Sequence, residues 1–164
     1  MNDIAAILLS EFPESECRCK ECVAACKLVP CWGTPEEIEL LILAGYGKRM
    51  TMHVLFKGYG SIKTGIEATG MWNPDPVRII APGFVGFLGR LTVSAASTGK
   101  CTFLTKGGKC ELHDKKLKPV EGRIQHQDIT ADESRVIREM LYRAWDEPKG
   151  RSVARFWIDE FFAR

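Results

Sequence analysis

The sequence predicts a single small α+β domain over residues 1–164, with several helices and a short β-hairpin. Amphipathic segments that open with capping-box residues, one at Thr34 and one at Thr130, predict helices. Short apolar runs among prolines and glycines between these two segments predict strands. The Gly107-Gly108 pair predicts the turn of the hairpin. A chain of 164 residues has room for one hydrophobic core.

Two helices are expected in the first third of the chain. The apolar segment from Asp3 to Glu11 predicts a short helix against the core. Thr34 predicts the N-cap of the next helix, with Pro35 at its first position and Glu37 completing the capping box. The apolar face of this second helix consists of Ile38, Leu41, Ile42 and Ala44, with Gly45 and Gly47 as stop signals.

Residues 48–98 read as a variable insert that is mostly loop. Strands are expected at Val77–Ala81 and Gly89–Ala95, separated by prolines and glycines. The C-terminal part, residues 130–162, predicts two helices with a break at Pro148-Lys149-Gly150. The expected apolar faces are Val136, Ile137, Met140, Leu141 and Ala144 in the first, and Val153, Phe156, Trp157, Phe161 and Phe162 in the second. The tryptophans are expected in the core.

Composition and charge exclude several classes of protein. Hydrophobic residues make up 45% and charged residues 27%, as in globular proteins. The net charge of +2 is too balanced to indicate nucleic acid or an anionic membrane as a partner. No apolar run approaches the roughly 20 residues of a spanning helix. The first apolar run follows an acidic Asp3, unlike a signal peptide, so we expect a cytoplasmic protein.

The cysteines are clustered. Five of the seven lie between Cys17 and Cys31, and the other two are Cys101 and Cys110. In a reducing compartment, clustered thiols are more often metal ligands or redox groups than disulfides. A redox dithiol at Cys19 and Cys22 would need a βαβ pattern around it, and the sequence has none.

The cysteine spacing predicts one metal site shared by two distant stretches. The two-residue gap between Cys19 and Cys22 presents both thiols on one side of a turn. The three-residue gap between Cys22 and Cys26 places their thiols one helical turn apart. A hairpin would return the thiols of Cys101 and Cys110 to the same end of its two strands. We therefore expect a metal-stapled domain. Zn²⁺ and an iron–sulfur cluster both suit such ligands. The predicted metal ligands are Cys19, Cys22, Cys26, Cys101 and Cys110.

These motifs resemble the cysteine-cluster family described as zinc- or iron-chelating, also called the CxxCxxCC family. The matching elements are Cys19-x2-Cys22-x3-Cys26, the helix start Gly33–Ile38, Cys101-Thr102-Phe103-Leu104 and Cys110-Glu111-Leu112-His113, and Lys118–Arg123 lies in register with the last element of the family motif. The resemblance implies two metal-binding blocks, residues 17–45 and 99–126, on either side of the insert. The family's biochemical role is poorly defined, so the resemblance implies metal binding and little more.

The chain departs from the family pattern at several positions. Lys27 replaces a cysteine, His113 a tyrosine and Gly122 the final cysteine, while Cys17 and Cys31 are additional thiols. A histidine close to Cys110 favours zinc, because imidazole is a common zinc ligand. Whether the additional thiols or the histidines are ligands stays open at this stage; the residues concerned are Cys17, Cys31, His113 and His126.

Three functions are compatible with these residues. The first is a metal-binding protein without catalysis. The second is a metal-dependent enzyme with an open coordination position, in which Glu21 or Glu111 would be the base. The third is a zinc-scaffolded nucleic-acid-binding module that uses Phe103 and the basic residues between Lys100 and Arg123. The lack of interleaved aromatic residues argues against the third.

Overall fold

A computed structural model describes residues 20–28, 31–55, 76–85, 88, 91–93, 99–124 and 130–162. Helices and strands are both present in this part of the chain, which confirms the predicted mixture of the two. The predicted helix at 3–11 lies outside the described residues. The helices are α1 (Lys20–Leu28), α2 (Pro35–Leu41), α3 (Val120–Ile124), α4 (Ala131–Asp146) and α5 (Pro148–Phe161), and the strands are β1 (Met50–Leu55), β2 (Val77–Pro82) and β3 (Leu91–Val93).

The three strands form one sheet in the order β2-β1-β3. Strand β1 pairs antiparallel with β2, from Met50 opposite Pro82 to Leu55 opposite Val77, and parallel with β3. The prediction of β2 is confirmed, and β3 lies within its predicted range. The sequence analysis missed β1, although Met50 to Val54 alternate apolar and polar residues. All six residues of β1 are buried, so its polar residues Thr51 and His53 face the interior of the protein.

Helix α2 begins as predicted. The Thr34 hydroxyl accepts a hydrogen bond from the amide of Glu37 at 3.3 Å, and the Glu37 carboxylate accepts one from the amide of Thr34 at 3.0 Å. Pro35 occupies the first helical position. The chain continues through a π-helical turn, Ile42–Tyr46, in which Gly45 interrupts the helical backbone with a φ of 89°. A 3₁₀ turn, Gly47–Arg49, then leads into β1.

The two C-terminal helices are present, with corrections to their predicted details. The break between them lies at Glu147, and Pro148 begins α5 inside the predicted break, because proline is tolerated at the first helical position. Two residues assigned to the apolar faces, Val136 and Phe156, are half exposed. In α5 the buried stripe runs through Gly150, Val153, Ala154 and Trp157, which turns Phe156 outward.

Two tryptophans attach the C-terminal helices to the first half of the chain. The side chains of Trp145 in α4 and Trp157 in α5 are fully buried. The Trp145 indole donates a hydrogen bond to the carbonyl of Gly33 at 2.9 Å, and the Trp157 indole donates to the carbonyl of Gly47 at 2.8 Å. The prediction that the tryptophans belong to the core is confirmed for these two and for Trp32.

The buried carboxylates of Glu37 and Glu121 join helix α3 to helix α2 and to the residues that precede α2. Glu37 accepts a hydrogen bond from the amide of Val120 at 3.0 Å and forms a buried ion pair with Arg123. Glu121 accepts a hydrogen bond from the amide of Trp32 at 2.7 Å. The amide of Glu121 in turn donates to the carbonyl of Trp32 at 3.1 Å. These bonds hold residues 31–37 against residues 120–123.

Among the helices in the described part of the chain, none has the length and apolar character needed to cross a membrane.

Removal of the Glu37 carboxylate tests the connection that this residue makes between α2 and α3. We expect Glu37→Ala to lower the free energy of unfolding by about 3–5 kcal/mol, because it leaves the Arg123 guanidinium buried without its ion pair. The matched control is Glu39→Ala in the same helix, whose ion pair with Lys149 is exposed and should contribute less than about 1 kcal/mol. Urea denaturation measures both. Equal losses for the two variants would contradict the prediction.

The buried imidazole of His53 makes stability depend on pH. Burial lowers the pKa of His53 to about 4, from an ordinary value of 6.5. Between these two pH values the unfolded chain binds a proton that the folded protein does not, so acidification stabilises the unfolded state. We expect the free energy of unfolding to fall by roughly 3 kcal/mol from neutral pH to pH 4 through this group. Chemical denaturation of the wild type and His53→Leu should show a shallower loss in the variant; parallel pH profiles would refute this.

Candidate functional site

Four of the five predicted metal ligands lie in the described residues. Cys22 and Cys26 are one turn apart on α1, and Cys101 and Cys110 lie in the segment before α3. Cys22, Cys101 and Cys110 are buried, and Cys26 is partly exposed. None of these four forms a disulfide, nor does Cys31. Three other candidates lie outside the described residues: Cys17, Cys19 and His126.

The two cysteine blocks meet in the fold. The amide of Cys101 donates a hydrogen bond to the carbonyl of Cys26 at 2.7 Å, and the amide of Gly99 donates to the carbonyl of Leu28 at 3.2 Å. At the other end of the contact, a Cβ added to Gly108 would lie 3.6 Å from Val23. Helix α1 therefore lies against the segment 99–108, although the two are more than seventy residues apart in sequence.

The predicted hairpin needs a correction. Cys110 forms a β-bridge with Leu104, whereas Cys101 forms one with Phe84, so the two thiols do not end a common ribbon. The turn spans residues 105–109, where Gly108 has a φ of 75°. A Gly-Gly pair fixes the position of a turn but not the length of the strands beside it. Here a second turn, closed by the amide of Leu104 and the carbonyl of Cys101, ends the ribbon early.

A buried lysine that the sequence analysis missed lies beside the thiols. Lys118 is only 2% exposed, and its ammonium donates a hydrogen bond to the sulfur of Cys22 at 3.6 Å. A Cβ added to Gly122 would lie 3.0 Å from Cε of Lys118 and 3.1 Å from the sulfur of Cys31. Lys118 and Cys31 thus pack on the same glycine. In the sequence, Lys118 opens the stretch that lies in register with the last element of the family motif, but nothing there indicated that its side chain is buried.

The thiol of Cys31 is in a strongly perturbed environment. Burial raises its pKa, and the nearby Cys26 and Glu121 raise it further, while Lys118 opposes them. The physical cause is that a thiolate without compensation is costly in a medium of low polarity. Cys26, Glu121 and Lys118 therefore all lie close enough to Cys31 to act on the charge of its thiol.

Within the described ranges, no three Cys, His, Asp or Glu side chains form a group that could hold a metal ion. His113 lies in the turn after Cys110, and its amide donates a hydrogen bond to the carbonyl of Cys110 at 3.2 Å. His53 lies in the core, in ring contact with Trp32 and Phe84. The structure thus brings the two blocks together without a formed metal site in this part of the chain.

Glu111, one of the two candidate bases, is engaged in ion pairs. Its carboxylate accepts hydrogen bonds from Arg49 at 2.9 Å and Lys115 at 3.0 Å, and these two cations hold its pKa below the ordinary range. A carboxylate with a lowered pKa is a weak base at neutral pH. The other candidate, Glu21, is an exposed residue in the first turn of α1.

A cleft of about 450 Å³ lies between β2 and the two C-terminal helices. Arg78, Arg151 and Arg155 line it together with apolar residues of β2 and α5. Arg151 pairs with Asp146 and Arg155 with Asp159. No cysteine lines this cleft, so it is separate from the cysteine blocks.

The features proposed for nucleic-acid binding are partly buried. Phe103 is 1% exposed, and the Arg49 guanidinium lies 3.9 Å from its ring centroid, which prevents the ring from stacking on a base. Two of the basic residues between Lys100 and Arg123 point inward, namely Lys118 and Arg123 itself. The nucleic-acid hypothesis therefore loses its only aromatic residue and part of its charge.

Comparisons of the chain with protein-family models, with curated proteins and with solved structures gave no match. The resemblance to the cysteine-cluster family stays a prediction that rests on the motif residues.

The exposure of the α1 thiols predicts their order of reaction. In metal-free protein, we expect iodoacetamide to label Cys26 about tenfold or more faster than Cys22, because the buried thiol reacts only after local opening. Cys22 is 3% exposed and lies one turn away, so the two thiols are a matched pair. Peptide mapping by mass spectrometry gives the two rates. Equal rates would show that Cys22 is not protected by the fold.

Proposed function

We propose that this protein binds a metal through cysteine thiolates from two separate blocks, zinc being the first choice and an iron–sulfur cluster the alternative. The observation that carries the proposal is the hydrogen bond of 2.7 Å from the amide of Cys101 to the carbonyl of Cys26, which joins the blocks at a cysteine of each. The residues that would hold the metal are Cys19, Cys22, Cys26, Cys101 and Cys110.

The cysteine sulfurs of the described residues suit a zinc ion or an iron–sulfur cluster. In the described parts of the two blocks, five cysteines form no disulfide, and soft thiolate ligands favour zinc or iron–sulfur clusters over hard cations. Their environment is largely closed to water, since three of the thiols are buried. A reducing compartment such as the cytoplasm, which we expect for this protein, would keep these thiols available as ligands.

Coordination would also complete the fold. Ligand sets are rarely preformed without the ion, and the free energy of metal binding is then partly free energy of folding. The proposed set includes Cys19, which lies outside the described residues. A bound metal would supply a cross-link between α1 and the segment 99–110, in addition to their backbone hydrogen bonds.

A structural or carrier role fits this site better than catalysis. Catalysis at the metal would need a base beside it, and Glu111 is engaged with Arg49 and Lys115. The cleft in the described part of the chain lies among β2, α4 and α5, away from the cysteines.

The first experiment identifies the metal. The protein is purified without oxygen, and its metal content and absorption spectrum are measured. Colourless protein with stoichiometric zinc would support the zinc site, and brown protein with iron and sulfide would support the cluster. Protein that contains no metal and takes up neither zinc nor iron would overturn the proposal.

The second experiment tests the ligands. We expect Cys22→Ser and Cys110→Ser each to lower both the metal content and the melting temperature, because each loses one thiolate and part of the coupled folding energy. A chelator should lower the melting temperature of the wild type by several degrees and have a smaller effect on the variants.

The matched control for these variants is Ala81→Ser. It also places a hydroxyl at a buried position, in β2, and should lower the melting temperature without lowering the metal content. Full metal occupancy in both cysteine variants would contradict the assigned ligands.

A further inference from the structure

We propose that the cleft between β2, α4 and α5 binds a small organic phosphate monoester, with the apolar body of the ligand on the floor of the cleft and its phosphate among the arginines at the mouth. This site does not depend on the proposed metal site, because none of the described residues that line the cleft is a cysteine. Three observations carry the proposal, namely the size of the cleft, the separation of its apolar and cationic residues, and its excess of positive charge.

The cleft has the size and the firm walls of a small-molecule site. Its volume of about 450 Å³ lies within the range of roughly 300–1,000 Å³ that is typical of ligand pockets. The indole of Trp145, which lines it, is held by a hydrogen bond of 2.9 Å to the carbonyl of Gly33. Helices α4 and α5 meet closely beside it, since a Cβ added to Gly150 would lie 2.5 Å from Cα of Trp145. A cleft between such packed elements needs little rearrangement to bind a ligand.

The apolar residues and the arginines lie at different depths in the cleft. Val77, Trp145 and Ala154 are buried and form its floor. The side chains of Arg151 and Arg155 are half exposed or more, which places them at the mouth. Positions 151, 154 and 155 are three and four residues apart on α5, so the helix presents all three on one face. A ligand that fits both depths has an apolar body and an anionic head.

The charge of the cleft favours a phosphate over a carboxylate. The charged residues that line it, in the described part of the chain, are Arg78, Arg151, Arg155 and Asp146. Three positive charges and one negative charge leave an excess of two positive charges. A phosphate monoester carries close to two negative charges at neutral pH, whereas a carboxylate carries one. The planar guanidinium group also matches phosphate oxygens in geometry, because it can donate two parallel hydrogen bonds.

The arginines can turn to a ligand at small cost. The ion pair of Arg155 with Asp159 is exposed, and exposed ion pairs contribute little to stability. Arg78 donates a hydrogen bond of 3.4 Å to a backbone carbonyl, which is long for an N–H group and therefore weak. A guanidinium has five N–H donors, so Arg151 can keep its ion pair with Asp146 and also donate to a phosphate oxygen.

The first test compares ligands by isothermal titration calorimetry with the full chain at low salt. We expect naphthyl phosphate to bind about tenfold or more tightly than naphthoate, which has less charge, and than inorganic phosphate, which has no apolar body. Equal affinity for inorganic phosphate would show that the floor has no role, and equal affinity for naphthoate would show that the site does not select phosphate. Either result, or a lack of saturable binding of naphthyl phosphate, would overturn the proposal.

The second test locates the ligand in the cleft. We expect Arg78→Gln in β2 and Arg155→Gln in α5 each to weaken binding of naphthyl phosphate about fivefold or more, since each removes charged donors. The matched control is Arg143→Gln in α4, which removes an equally exposed arginine with a similar ion pair outside the cleft and should leave the affinity unchanged.

Melting temperatures show whether the variants are folded. Arg155 is largely exposed, so Arg155→Gln should melt near the wild type and decides the test alone if Arg78→Gln does not fold. Wild-type affinity in Arg155→Gln would place the ligand elsewhere and overturn the proposal. Failure of this site would leave the metal site untouched, because the metal site is judged by metal content and not by binding of a phosphate.

Discussion

The buried carboxylate of Glu37 connects the two halves of the chain. It accepts hydrogen bonds from Thr34 at the start of α2 and from Val120 in α3, and it pairs with Arg123. Burial raises the pKa of Glu37 and Arg123 opposes the shift, so the ionised carboxylate depends on its partners. A segment before α2 and a segment more than eighty residues later are thereby fixed side by side.

The position of the candidate site follows from this connection. Helix α3 has five residues, too few to be stable alone, and all of them are buried. Its conformation depends on Glu37 and on the paired backbone and side-chain bonds between Glu121 and Trp32. Once α3 is held there, Gly122 lies against the Cys31 sulfur. The lysine that precedes the helix then reaches Cys22 on α1.

Local signals were predictable from the sequence, and long-range contacts were not. The capping box at Thr34 depends on four consecutive residues, and β2 on one short apolar run, so both could be predicted. Strand β1 was missed although Met50 to Val54 alternate apolar and polar residues; that pattern indicates a half-exposed strand, so it could not show that Thr51 and His53 are buried. The burial of Lys118 could not be predicted either, because a periodic pattern cannot show which residue of a basic run meets a distant thiol. The meeting of the cysteine blocks was predicted from the chemistry of thiols rather than from packing.

The N-terminal residues 1–47 and the second cysteine block are complementary in charge, and the interior contacts show where this complementarity acts. Residues 1–47 are acidic and residues 100–126 basic, which at an exposed surface would contribute little because of screening by salt. Two basic residues of the second block instead point inward, where screening is weak. Arg123 meets a carboxylate of the first block, and Lys118 meets a thiol. A thiol provides negative charge only when it is deprotonated, which is also the form that binds metal.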